Sequence, residues 1–332
     1  MNWFFNVLEN SLKETDFNRR GIMSRCRIKN QNAQHSEFYL ITNRVAGGYH
    51  CLEDLDKEQL LKVIRSAEER LGCFCHEYVL LDNHYHLLIE TACPNAMSEK
   101  ELLRKYQMSH RPLKDPSSEI LQSFRDKIHD ISYVVGNIEQ RFAQWYNKNH
   151  DRKGHLFGAR FDSSLIEESL HLLAPILYII LNPVRAGIVI DPKDYHWCSY
   201  GQRLAGKHFI GDKSYFSTLL KATDQENPLL TKDLSTQRSE ILQWFRFLLM
   251  EKPQFKKENS LLLEKALIKA GKTVELNYGD LYWHKATFLC RGAVIGSELF
   301  VNKMIRQCQN KFKRKRKAID HHGLFSFYFV KE

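Results

Sequence analysis

The stretch that most constrains the fold is Tyr78 to Glu90, YVLLDNHYHLLIE. Two apolar runs flank Asp82-Asn83, a pair that supplies a tight turn, so the chain should form an antiparallel hairpin from strands at Cys73 to Leu81 and His84 to Glu90. Successive strand side chains point to opposite faces. His84, His86, Leu88 and Glu90 therefore share one face, and Tyr85, Leu87 and Ile89 the other. Two imidazoles stand side by side, roughly 7 Å apart at the backbone. The chain holds fifteen histidines, enough to give this spacing about 0.7 times by chance, so the pair alone does not identify a site.

The rest of the chain is organised around this hairpin. FYLITNRV, from Phe38 to Val45, predicts a strand rich in aromatic and β-branched residues, closed by Ala46-Gly47-Gly48. Leu60, Leu61, Ile64, Ala67 and Leu71 recur at helical spacing, with Asp56 as candidate N-cap and Gly72 just past the end. After the loop His110 to Ser118, one long helix is expected to carry Leu121, Phe124, Ile128, Ile131, Val135, Ile138, Phe142 and Trp145 on one side. GHLFGARFDSSLIEE supplies short extended segments, and a helix between Ser169 and Asn182 leads into NPVRAG. This order predicts an α+β protein with helices packed on a mostly antiparallel sheet. Composition turns polar over 206–240, which reads as a linker. Beyond it, helices are expected at Leu242 to Met250, Ser260 to Ala270 and Ser297 to Lys311, making 241–332 a smaller, mainly helical region. A helix-turn-helix over Tyr278 to Lys311 is one arrangement open to that pattern.

Tyr178 and Asn182 are four residues apart, so on a helix they share one face, about 6 Å apart along the axis. An apolar helix lying on the sheet could present a phenol and an amide oxygen to the two imidazoles. In isolation, Tyr178 reads more readily as a half-buried core tyrosine and Asn182 as the helix end before Pro183.

NHYHLLIE, GHLFGARF and YIILNPVRAGIV, in this order, resemble the single-tyrosine HUH transposases, and within them the REP-associated tyrosine transposases. The resemblance runs from about Met23 to Tyr200. It implies an HUH-type domain over 23–205, with residues 1–22 as an N-terminal extension. Carried over residue by residue, His84 and His86 match the HUH pair, with Tyr85 where the family usually has a hydrophobic residue. Tyr178 matches the catalytic nucleophile, Asn182 matches the third metal-binding side chain, and Arg160 falls among DNA-contacting basic residues. The implied activity is cutting and rejoining of single-stranded DNA beside hairpins.

The chemistry asks for such residue types. Tyrosine is a weak nucleophile at its free pKa of about 10, so attack on a phosphodiester needs a Lewis acid to offset developing charge. Two neutral imidazoles and an amide oxygen would leave the ion's charge undiminished, and mixed nitrogen and oxygen ligands at an open site suit Mg²⁺ or Mn²⁺. Tyr178 would form a 5′-phosphotyrosine and release a 3′-hydroxyl, reversibly and without ATP. One departure is Pro175, three residues before Tyr178, which is expected to kink or restart the helix there.

The charge distribution agrees with a nucleic-acid partner. Of a formal net charge of +10, about +9 lies between Glu251 and Glu332. Lys311, Lys313, Arg314, Lys315, Arg316 and Lys317 fall within seven residues, a run able to contact phosphates without reading sequence. Eight cysteines dispersed over 332 residues point to reduced thiols rather than a disulfide framework. Cys73 and Cys75 would share a strand face that His76 does not, which speaks against a shared zinc. No basic leader and no run of ~18 apolar residues is present, so the expectation is a soluble cytoplasmic protein, monomer or homodimer, away from membranes. Three alternatives keep the fold and change the function: a host-adapted DNA-binding protein without cleavage, a related HUH replication initiator, or a structural metal protein.

Overall fold

The computed structural model describes residues 27–29, 35–47, 52–110, 116–250, 289, 292–308, 319–321 and 327–331. The expected hairpin is present. Strands β2 (Phe74–Leu80) and β3 (His84–Glu90) pair antiparallel around Asp82-Asn83, and β1 (Phe38–Arg44) pairs with the other side of β3. β4 (Asp162–Ile166), β5 (Gly292–Gly296), β6 (Ile319–His321) and β7 (Phe327–Lys331) extend the sheet in the order β2-β3-β1-β4-β5-β7-β6. Every pairing is antiparallel except that of β4 with β5. The architecture is α+β.

The period-two pattern divides the sheet into two faces with two cores. Tyr39, Ile41, Tyr78, Leu80, Tyr85, Leu87 and Ile89 face one side. There they meet helix α1 (Asp54–Leu71), α2 (Glu99–Ser109), α3 (Ser118–His129) and α4 (Ile131–Asn149). Phe38, Leu40, Val79, Leu88 and Ile166 face the other side, under α5 (Leu173–Arg185), α7 (Asp212–Thr223) and α8 (Leu234–Met250), with the short α6 (Ser199–Leu204) between them in sequence. Along the outer edge of β2 the Leu80 amide donates to the Trp197 carbonyl at 3.0 Å, and the Tyr195 hydroxyl donates to the Leu80 carbonyl at 2.7 Å. That edge is thereby closed to other strands.

Several expectations are corrected by local chemistry. Helix α1 begins a turn before the Asp56 cap, because Glu53 is the N-cap and Asp56 the third helical residue, its carboxylate accepting from the Glu53 amide at 2.9 Å. Gly72 does close it, at φ 72°. The single long helix is two, since Asp130 leaves helical geometry and its carboxylate accepts from the Ser132 amide at 2.7 Å, capping α4. Pro175 causes no kink. It sits in the first turn of α5, where a backbone N–H has no helical acceptor to lose. The helix also runs past Asn182 to Arg185, with Pro183 inside its last turn.

Residues 206–240, expected as a linker, instead contribute Tyr215, Phe216, Leu219, Leu220 and Leu229 to the core beside α5. Their polar appearance is explained by a buried charge network. The Arg203 guanidinium donates to Glu77 Oε1 at 2.6 Å and to Asp212 Oδ1 at 3.2 Å, and Tyr215 donates to the same Glu77 oxygen at 2.8 Å. After 240 the described residues are helical to Met250 and again in α9 (Glu298–Gln307), as expected, but the region also supplies strands: GAVIG forms β5 directly before α9, and β6 and β7 continue the same sheet. Residues 1–22, the helix expected at Ser260 to Ala270, and the basic run from Lys311 to Lys317 lie outside the described residues. Among those described, no helix is long and apolar enough to cross a membrane.

Candidate active site

The candidate site forms where α5 crosses the end of β3. Every residue of α5 from Leu173 to Pro183 is buried, as expected of a helix that is apolar all round and enclosed between a sheet and further helices. Tyr178 and Asn182 are its polar exceptions, 7% and 6% exposed. A turn apart on one face, they break an otherwise aliphatic surface.

The sheet presents the histidines to that helix. β1 pairs Arg44 with His84 and Thr42 with His86, and β4 in turn pairs Asp162 with Thr42. Directly opposed residues lie on the same face, so His86, Thr42 and Asp162 form a row across three strands. The His84 and His86 rings are perpendicular with centroids 5.1 Å apart. Tyr178 meets His86 in the same way, its ring 5.1 Å away at 88°. The Arg185 guanidinium carbon lies 4.4 Å from the same phenol's ring centroid. Successive ring contacts therefore link His84 to His86, His86 to Tyr178 and Tyr178 to Arg185.

Hydrogen bonding and burial set the state of the imidazoles. His84 Nδ1 donates to Asn83 Oδ1 at 2.6 Å, so in the neutral ring the lone pair is on Nε2, the nitrogen through which a ligand would be held. The turn carrying Asn83 is itself pinned, with Lys57 Nζ 2.5 Å from Asp82 Oδ1 and the Val45 amide donating to the Asn83 carbonyl at 2.9 Å. Burial holds His86 well below the ordinary histidine range, and the nearby charges of His84, Arg185 and Arg44 push the same way. A neutral imidazole is the form that ligates a metal. Among the described residues no group of three or more His, Cys, Asp and Glu is placed to hold an ion; the residues that could hold one are the two imidazoles, with the Asn182 amide one helical turn beyond Tyr178. That composition fits a hard divalent cation accepting mixed nitrogen and oxygen ligands.

The other expected residues are placed differently. Arg160 is exposed on the segment entering β4, two residues before Asp162 and so at the same end of the sheet as the histidines. Cys73 and Cys75 are buried under α1, and burial pushes the Cys73 thiol up to about 12. His76, at a bulge in β2, turns to the opposite core and bonds Glu90 at 2.7 Å. Arg185 was missed from sequence because ending the helix at Asn182 put it in a loop. Its spacing of seven from Tyr178, two turns of helix, was the available signal. Arg44 was missed because its position opposite His84 depends on strand register.

No family model matches the sequence, and no curated protein matches it. A solved structure of a REP-associated tyrosine transposase bound to a REP hairpin aligns over 56% of this chain and 87% of that chain, at 16% identity and a TM-score of 0.38. A likeness that slight carries no weight for the chemistry, which stands on the side chains described above.

Proposed function

We propose that the chain is a metal-dependent tyrosine transesterase acting on single-stranded DNA, cutting beside hairpins and able to rejoin the ends. The observation that carries it is the edge-on contact of Tyr178 with His86, 5.1 Å between ring centres, on a helix otherwise buried and aliphatic. A core tyrosine needs no pair of histidines beside it, whereas a nucleophile at a metal site does. His84, His86 and Asn182 would hold a Mg²⁺ or Mn²⁺ ion, which when bound supplies Lewis-acid polarisation of the phosphodiester. The side chains of the protein do the rest. Tyr178 Oη forms the bond to phosphorus, the bond from phosphorus to the 3′ oxygen breaks, and the phenolic proton is given up as the departing 3′ oxygen takes one. The product is a 5′-phosphotyrosine and a free 3′-hydroxyl. Because that linkage is a phosphodiester, attack by another 3′-hydroxyl reverses the step.

The hairpin substrate comes from the sequence resemblance over Met23 to Tyr200. Arg160 and the run Lys311, Lys313, Arg314, Lys315, Arg316 and Lys317 are assigned to the DNA backbone, as contacts that position without specifying sequence. The test is direct. Incubated with Mn²⁺ and a hairpin carrying a 5′ single-stranded flank, the wild-type chain should give an adduct that survives denaturant, and Tyr178→Phe should give none while still binding the oligonucleotide. An undiminished adduct in that variant would move the nucleophile elsewhere.

A further inference from the structure

We infer that Arg185 binds the scissile phosphate directly and is a catalytic residue of this site, an assignment that rests on the transesterase function proposed above. Two observations converge on it. Its guanidinium lies over the Tyr178 ring, 4.4 Å from the centroid. Its Nη1 is buried with no hydrogen-bond partner among the described residues.

A buried donor left unmade is costly, and native structures keep few of them. The same guanidinium sits over the ring of the residue that would attack the phosphate. In a productive complex, phosphorus stands roughly 3 Å from the phenol oxygen, which puts the non-bridging phosphate oxygens within reach of a guanidinium seated over the same ring. Arginine suits the task better than lysine, because its planar fork can stack on the aromatic face and donate to phosphate with the remaining N–H groups. During transfer Arg185 neither gains nor loses a proton. It offsets the negative charge on the non-bridging oxygens while the bond from Tyr178 forms and that to the 3′ oxygen breaks.

The competing explanation is that Arg185 only fixes the Tyr178 ring by stacking. A chemical double-mutant cycle separates the two, using the full chain, Mn²⁺ and a hairpin oligonucleotide with either a phosphodiester or an uncharged methylphosphonate at the cleaved linkage. With the phosphodiester, Arg185→Gln should slow single-turnover adduct formation by about 100-fold or more at saturating DNA, and Arg185→Lys should recover part of the loss. With the methylphosphonate the Arg185→Gln penalty should largely vanish, because the charge that the guanidinium meets is gone. Equal slowing of both linkages would overturn the assignment and leave Arg185 as a positioning residue. Should Arg185→Gln fail to fold, Arg185→Lys carries the same comparison between linkages. A wild-type chain that forms no adduct on either linkage would remove the transesterase function itself, and this assignment with it.

Discussion

Replacing Arg203 by methionine tests whether 206–240 belongs to the fold that holds the site. Arg203, Glu77 and Asp212 are each about 1% exposed. The guanidinium pairs with both carboxylates, at 2.6 and 3.2 Å, and also donates to the His76 carbonyl. Methionine keeps much of the side chain's bulk against Phe209 and Tyr215 while removing the charge. Among the described residues Glu77 then retains only hydroxyl donors, from Ser199 and Tyr215, and Asp212 the Phe209 amide. Breaking a buried ion pair by removing one partner costs about 3–5 kcal/mol, whereas a charge on a solvated linker costs below about 1 kcal/mol. Urea unfolding can be followed by tryptophan fluorescence, since Trp244 lies in this core at 2% exposure. With a slope near 2 kcal/mol per molar, the midpoint should fall by roughly 2 M. Adding Glu77→Gln and Asp212→Asn should restore much of the loss, because no unpaired charge then remains. A fall of less than roughly 0.5 M in the single variant would refute the packing of α7 against β2 through this network.

Other outcomes follow from the site itself. His84→Ala should abolish adduct formation while lowering thermal stability little, because His84 is only half-buried at one end of those ring contacts; unfolding with residual cleavage would make it a structural residue. In metal-free protein, His86 is held neutral in the native state and takes a proton below about pH 6.5 when unfolded, so its contribution is complete above that pH. Stability should fall as pH drops below about 6.5, by up to about 1.4 kcal/mol per unit, and His86→Gln should flatten the curve, as denaturation at several pH values would reveal. Changing all six basic residues from Lys311 to Lys317 to Gln should weaken binding to every single-stranded DNA alike. The salt dependence should also flatten, by about 0.7 in slope per lost phosphate contact, with the cut position unmoved. A shifted cut site would place the run within the recognition surface.

Local periodicity was enough to locate the histidine hairpin, strand β1 and most of α1, because there the pattern of burial is written within a few adjacent residues. That Tyr178 and Asn182 share an apolar helix four residues apart was legible for the same reason. What escaped depends on partners distant in sequence. Arg203 and Asp212 look solvated in any local window, and only Glu77, over a hundred residues earlier, makes their burial tolerable. β5 is too short to announce itself, and its strand character comes from lying beside β4 and β7. The break at Asp130 and the harmless Pro175 are matters of helix-end geometry, where one cap or one turn of displacement decides the outcome.

The placement of β6 and β7 changes what the basic run can be. The segment that contains it begins just after Cys308, at the end of α9, and returns to the sheet at Ile319. Both residues that flank the run in sequence therefore have fixed places in the fold. Eleven peptide steps reach no more than roughly 40 Å, so no Cα of the six basic residues can lie more than roughly 20 Å from Cys308 or Ile319. A free basic tail would capture DNA at a distance and let it wander. A tethered one keeps any strand it holds within a fixed radius of the sheet, raising the local concentration of that strand without choosing its sequence. Deleting residues 311–332 would also strip β7 from β5 and leave an unpaired strand edge, an invitation to aggregate; the charges have to be removed by substitution, with the strands left in place.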